Sequence, residues 1–363
     1  MYNSFFKLQL SNVLKCRTYL KHNTKRLIYS LLFSYKLTSS GLNNVDFIIF
    51  DTTPLKGRKD YENYMCDFIA ACKKQRPAIE YSVKYYFCLY DVFCKIGFIC
   101  LNATRGYNLK ELIQLSQLYD LYIKIRQLNL KNKKIVTFCD AHPEDNLISQ
   151  FCKKYFECHT YTLQHGYYTF SPGTINQEVY LNFVSDFMLC WGNTSVDNIV
   201  DCGIERKRLI PFGCFKRAEL IYKKGNNIFL LLNGRHNALG NSILLTFAER
   251  IVSETGLSVF VKKHPDDLND YPYINNVTFV DSIKEGMENS KVAILSESGV
   301  FVDFYLSSFP FFIVNTPDTK MEFSRLPNAI DLDEVIDIIQ GTKPISPQSL
   351  PLLITMSPNF KEL

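Results

Sequence analysis

The chain has 363 residues, 47% of them hydrophobic and 21% charged, with a formal net charge of +5. That is apolar material for more than one core, and it excludes a disordered or low-complexity chain. The excess charge sits at one end: residues 1–40 carry Lys7, Lys15, Arg17, Lys21, Lys25, Arg26 and Lys36 and no acid. The rest of the chain is slightly acidic and has no base-reading motif, which argues against nucleic-acid binding.

The basic segment also holds Phe5, Phe6, Leu8, Leu10, Val13 and Leu14, then an apolar run at 27–33. These runs are too short to cross a bilayer, and no small-residue cleavage site follows them. A basic amphipathic segment suits an anionic membrane surface; it equally suits a helix packed on the first domain with solvated lysines. The twelve cysteines are irregularly spaced and include no CxxC pair. That pattern suits reduced thiols in the cytoplasm better than a disulfide framework or a structural zinc site.

From residue 46 onward, short apolar strands alternate with helical stretches. "DFIIFDTTP" reads as a strand with a polar exit, and 62–76 and 107–128 as helices. "KKIVTFCDAHPEDN" reads as strand, loop and helix start. "HTYTLQHG", "DFMLCWGN" and "RLIPFGC" supply further strands. After the polar "YKKGNN" a second series begins: "IFLLLNG", "LSVFVKKHP", "NVTFVD", "SKVAILSESG" and "PFFIVN". Near-continuous apolar strands between helices predict parallel sheets covered on both faces. The expected fold is therefore α/β, with two doubly wound, Rossmann-like domains facing a cleft. The segments are a basic stretch at 1–40, a first Rossmann-like domain at 41–217, a second at 226–345 and a tail at 346–363.

Ligands of open parallel sheets bind beyond the carboxyl ends of the strands. Four of the six histidines fall there: His142, His165, His236 and His264. In the second half, Lys262, Lys263 and His264 stand before a turn-forming proline and offer cationic donors to a phosphate. Ser296, Glu297, Ser298 and Gly299 precede a helix start, where hydroxyls and unpaired backbone N–H groups suit an anion; Ser298 also reads simply as a cap. Gly234 and Arg235 lie in a loop that could reach a second phosphate. No Walker loop and no GxGxxG is present. In the first half, His165 before Gly166 is the first choice for a base and Asp140 the second. His142, Gln164, Tyr167 and Tyr168 are candidates for holding an acceptor. "HPDD" at 264–267 is a weak metal alternative.

The order of "QHG", "KKHP" and "SESGVFVDF" across 160–306 resembles glycosyltransferases of the GT-B fold. Within these it is similar to teichoic-acid glycerophosphotransferases, capsular Kdo transferases and some bacterial sialyltransferases, which use cytidine-nucleotide donors. The resemblance implies that the domain at 41–217 binds the acceptor and that at 226–345 the nucleotide-sugar, that His264, Ser296 and Ser298 hold donor phosphates and that His165 acts as the base, with no catalytic metal or other cofactor. Glu297 splits the usual serine pair, and a carboxylate there could instead bind ribose, as in UDP-sugar enzymes of this fold. The two-acid-Gly motif of sialyltransferases is absent. The implied function is transfer of a sugar from a CMP/CDP- or UDP-linked donor to a hydroxyl of a cell-surface polysaccharide or glycolipid, in the cytoplasm or at the inner membrane. The alternatives are a sugar-nucleotide epimerase of the same fold and a non-catalytic sugar-nucleotide-binding subunit.

Overall fold

The computed structural model describes residues 2–16, 24–41, 45–169, 183–216, 225–234, 237–265, 267–324, 326, 329–341 and 360. The chain divides into two units, Met1–Lys216 with Leu352–Leu363, and Arg217–Pro351.

In the first unit α1 (Tyr2–Phe6), α2 (Leu10–Lys15) and α3 (Thr24–Leu32) lead into β1 (Phe33–Gly41). Then come β2 (Phe47–Asp51), α4 (Lys59–Gln75), β3 (Ala78–Phe87), α5 (Leu89–Asn102) and α6 (Leu109–Arg126). β4 (Lys134–Thr137), α7 (Pro143–Phe156), β5 (His159–Leu163), β6 (Phe187–Cys190), α8 (Asn193–Asp201) and β7 (Leu209–Pro211) complete it. The sheet runs β1-β3-β2-β4-β5-β6-β7. All neighbours are parallel except β1, which pairs antiparallel with β3. From β2 the chain adds β3 on one side and then returns to add β4 on the other. The carboxyl ends of β2 and β4 therefore form a topological switch point, where open α/β sheets bind ligands.

The second unit holds β8 (Asn227–Leu231), α9 (Ala238–Thr255), β9 (Val259–Lys262), β10 (Val277–Phe279), α10 (Ile283–Asn289) and β11 (Ser290–Leu295). α11 (Phe301–Leu306), β12 (Phe311–Val314), α12 (Met321–Ser324), β13 (Ala329–Ile330) and α13 (Leu332–Ile339) follow. Its sheet is parallel throughout, in the order β10-β9-β8-β11-β12-β13. The switch point here lies between β8 and β11.

Local chemistry explains the helix ends. Asn108 and Glu111 form a reciprocal capping box that starts α6. α7 begins with Pro143 at its first position, where the missing N–H costs nothing. β2 reads as a continuous apolar run because both of its faces are covered and all five residues are buried.

Four of the N-terminal apolar residues belong to the core of the first unit, whereas Ile28 and Tyr29 of the 27–33 run are exposed. Phe5, Leu8, Leu10 and Val13 are buried among Phe98, Tyr122 and Leu118. The Gln9 N–H donates to the Gln150 side chain at 2.7 Å. Burying a side chain such as Phe5 is worth about 1.5–3 kcal/mol. At the other terminus Phe360 packs on Phe212 and Phe215 and accepts a hydrogen bond from Arg76.

Candidate functional site

At the switch point of the first unit, a buried ion pair links the end of β2 to the start of α7. The Lys56 ammonium lies 3.1 Å from Asp145, whose other oxygen accepts from the Thr52 hydroxyl at 2.7 Å. The Cys139 N–H also donates to Asp145. Just beyond, Arg58 stacks 3.9 Å over the Tyr61 ring and donates to its hydroxyl at 2.9 Å.

His142 and His165 stand beside these cations. The His165 ring packs against Phe138 (centroids 5.0 Å apart) and Tyr61 (5.3 Å), and its Nδ1 lies 2.7 Å from the Tyr168 hydroxyl. Burial, then Lys56 and Arg58, push its pKa down to about 3. His142 holds the N-cap position of α7 without a side-chain capping bond, and its pKa is also well below the ordinary range, through burial and then Lys56, His165, Arg26 and Arg58. Both imidazoles are neutral at neutral pH. Two neutral rings beside Lys56, Arg58 and Arg26 suit an anionic group, whose arrival would raise both histidine pKa values.

Three first-unit candidates take structural places instead. The Asp140 carboxylate is buried and accepts from the N–H groups of Val184 (2.9 Å) and Ser185 (2.6 Å) and from the Ser185 hydroxyl (3.0 Å). Its pKa is raised to about 6 by burial, but its oxygens are spent holding the chain before β6, not facing a substrate. Gln164 is fully buried; its amide donates to the Gly166 carbonyl and the Ser195 hydroxyl and accepts from the Trp191 N–H. Tyr168 is buried among Phe183, Met188 and Val196 and offers its hydroxyl to His165, so it orients the imidazole and cannot stack on a sugar. Tyr167 is half-buried. Sequence reading missed Lys56, Arg58, Tyr61 and Asp145. The available signal was the basic "LKGRK" directly after the β2 exit.

In the second unit, the order β9-β8-β11 sets Lys262–His264, Asn233–Gly234 and Ser296–Gly299 side by side at one sheet edge. The Glu297 N–H donates to Asn233 Oδ1 at 2.8 Å, bridging the switch point. Asn233 Nδ2 is buried and finds no acceptor among the described residues. His264 is exposed, and Gly299 faces open space. The Lys262 ammonium donates to the Lys263 carbonyl, whereas that of Lys263 donates to the Asn269 carbonyl and lies 5.5 Å over Tyr271.

Ser296 does not face a ligand. It is fully buried, with its hydroxyl 3.2 Å from that of Thr316 and 2.5 Å from that of Thr319. The Glu297 carboxylate accepts from the Lys320 N–H (2.5 Å) and the Asn237 amide (3.2 Å) and pairs with the Lys320 ammonium (3.6 Å). Ser298 accepts from the Val300 N–H at 3.3 Å, a local serine turn ahead of the helix and not its cap, since Val300 holds the N-cap position of α11. The "NTPDTK" loop after β12, unread in the sequence, supplies most of these contacts. Its Asp318 accepts from the Gly240 N–H at 2.9 Å near the start of α9. Arg235 and His236 lie outside the described residues. In "HPDD", Asp267 is buried and accepts from Tyr271, and no group of three metal-ligating side chains occurs among the described residues.

Two Rossmann-like units, each with a polar constellation at its switch point, define the chain as a protein of the GT-B fold class. No family model matches the chain, and no curated protein does. Solved structures do match. A Listeria monocytogenes protein provisionally assigned as a UDP-N-acetylglucosamine 2-epimerase shares 11% identity at a TM-score of 0.50, over 81% of this chain and 87% of that one. UDP-GlcNAc 2-epimerase of Methanocaldococcus jannaschii, solved with UDP-GlcNAc and UDP, shares 11% identity at 0.46, over 82% and 92%. A trehalose 6-phosphate synthase from Burkholderia multivorans shares 9% at 0.45, over 82% and 89%. At such identities the likeness defines the fold and nothing finer.

Proposed function

We propose that the protein is a glycosyltransferase that moves a sugar, or sugar-like group, from a nucleotide-activated donor to a hydroxyl of a cell-surface polysaccharide or glycolipid. The observation that carries this reading is the edge of the second sheet, where the orphaned Asn233 amide, exposed His264 and the open Ser298–Gly299 turn adjoin one another. A nucleotide diphosphate offers acceptors for each of them. Charge developing on the leaving phosphate is met by Lys263, His264 and the turn, so the proposed chemistry draws on protein groups and needs no catalytic metal. His165 takes the acceptor proton through Nε2, in the tautomer whose Nδ1–H donates to Tyr168. Lys56, Arg58 and His142 receive an anionic part of the acceptor. The proposed setting is the cytoplasm, at the membrane surface where lipid-linked acceptors reside.

The epimerase reading keeps the same donor edge. It has the support of the likeness to UDP-GlcNAc 2-epimerases in fold alone. It would need carboxylates free to exchange a proton with the sugar, whereas Asp51, Asp140 and Asp145 are each hydrogen-bonded within the first unit.

Thermal shift against CMP, CDP, UDP and GDP tests the shared part, since a ligand of the folded state raises the melting temperature. No shift with any of the four rules out both readings. Release of N-acetylmannosamine from UDP-GlcNAc without an acceptor would favour the epimerase. In a transferase, His264→Ala weakens nucleotide binding and His165→Ala lowers turnover; the reverse pattern overturns these roles.

A further inference from the structure

Asn241, on the first turn of α9, is fully buried and holds the exit of β8 by its backbone. Its Oδ1 accepts from the Asn233 N–H at 2.7 Å, and its amide donates to the Asn233 carbonyl at 3.0 Å. Both backbone groups of a buried residue past the end of a strand need partners, and one side chain supplies them. The Asn233 N–H requires an acceptor, so the Asn241 amide has one favourable orientation, with its NH2 directed away from that N–H. The NH2 lies 3.4 Å from Asp267 Oδ2 and 3.4 Å from the Tyr271 hydroxyl.

Asp267 anchors the neighbouring exit, that of β9. Its Oδ2 accepts from the Tyr271 hydroxyl at 2.7 Å and its Oδ1 from the Asn269 N–H at 3.1 Å. Its own N–H donates to the His264 carbonyl at 3.0 Å, closing the turn that carries His264. Pro265, directly after His264, favours a turn of this kind. A buried carboxylate is tolerated where donors surround it in this way.

On the other side, Asn233 Oδ1 accepts from the Glu297 N–H at 2.8 Å. A hydrogen-bonded chain, Asp267–Asn241–Asn233–Glu297, therefore runs across the exits of β9, β8 and β11. Rotating the Asn233 amide by half a turn would set its NH2 against the Glu297 N–H, donor to donor. Its Nδ2 is thus held buried and without an acceptor among the described residues. A donor in that state is unfavourable until an atom arrives to accept from it.

We infer that Asn241 and Asp267 are positioning residues of the donor site. They set the orphaned Asn233 amide and the His264 turn at one spacing, so that both meet the same nucleotide diphosphate. The second acid of "HPDD" then acts on the ligand through its neighbours and not by contact. This inference rests on the nucleotide-sugar reading of the second unit.

The test is titration calorimetry of the full chain with CMP, CDP, UDP and GDP, beside thermal melts of the same samples. Asp267→Asn turns an NH2 toward donors, and Asn241→Asp sets a carboxylate against Asp267 and the Asn233 carbonyl. Each is expected to weaken nucleotide binding about tenfold. Asn241→Asp/Asp267→Asn restores a donor facing an acceptor and is expected to recover part of the loss. Tyr271→Phe keeps a half-buried ring, removes one donor to Asp267 and is expected to weaken binding about threefold; it decides the matter if the fully buried variants do not fold.

A merely structural role would lower the melting temperature and leave the affinity of the folded molecules at the wild-type value. Wild-type affinity in Asp267→Asn, or in Tyr271→Phe where only that variant folds, overturns the inference and leaves the nucleotide reading intact. Losses that simply add in the double variant overturn the coupling of the two residues. A wild type that binds none of the four nucleotides overturns the nucleotide reading and this inference with it.

Discussion

The Tyr168 hydroxyl stands 2.7 Å from Nδ1 of His165, three residues earlier in the chain. The contact orients the ring of a neutral imidazole, and in the tautomer whose Nδ1–H donates to Tyr168 it is Nε2 that is left to accept a proton. Tyr168→Phe keeps the buried ring and removes only this restraint. Turnover is expected to fall about tenfold while nucleotide affinity holds, with a stability loss of about 1 kcal/mol. Steady-state kinetics and thermal melts check this; unchanged kcat would remove the orienting role.

Asp140 separates structural from catalytic carboxylates. Asp140→Asn turns an amide donor toward the N–H groups of Val184 and Ser185. The expected cost is about 3 kcal/mol of stability, with the folded fraction still turning over. Denaturant unfolding measures the first and activity per folded molecule the second. Lost activity at unchanged stability would restore Asp140 as the base.

Gly240 is a close-approach glycine. A Cβ there would lie 2.3 Å from Asp318 Oδ1 and 2.8 Å from the Thr316 hydroxyl. Gly240→Ala is expected to displace the Asp318 loop and cost about 2 kcal/mol despite better helix propensity. A melt that rises instead would mean the loop yields freely.

Gly299 is the converse case, exposed and with open space before it. Gly299→Asp should fold normally and weaken nucleotide binding at least about tenfold by repelling phosphate. Titration calorimetry with the nucleotide that gives the largest thermal shift reads the effect. Unaltered affinity would move the phosphate site elsewhere.

The pH dependence has a definite sign for His165. Its folded pKa of about 3 lies below the unfolded value of about 6.5. The unfolded chain therefore gains a proton first as pH falls, and His165 destabilises the fold progressively from about 6.5 down toward 3. Asp140, raised to about 6, works oppositely: its contribution is full below the ordinary aspartate range and is lost as pH rises through 6. The difference between wild type and His165→Gln isolates the histidine. Relative to wild type, the variant should gain up to about 1.4 kcal/mol per pH unit below 6.5. Parallel melting curves across that window would contradict the neutral ring.

Most of the strand-end residues could be read directly. Apolar runs and polar exits located the ends of β2, β4, β5, β8, β9 and β11, because strands covered on both faces tolerate almost no polar residues. β1, β3 and α5 went unread. β1 pairs antiparallel at a sheet edge, and α5 is apolar nearly all round, so hydrophobic periodicity assigns it no face. Lys56 and Asp145 are 89 residues apart, and nothing local in either segment announces their ion pair.

The amino-acid sequence by itself determined the α/β class, the two series of parallel strands and the set of polar residues at their ends. Those features follow from local patterns of burial and chain reversal. Only the tertiary structure decided which of those residues are available. It spends Asp140, Gln164 and Ser296 on internal hydrogen bonds and leaves His165, His264 and the Ser298–Gly299 turn where a ligand can meet them. It also buries Phe5, Leu8, Leu10 and Val13 while leaving the face of α5 open. The reason is that a polar side chain removed from water must find partners wherever the fold brings them, and those partners come from distant parts of the chain.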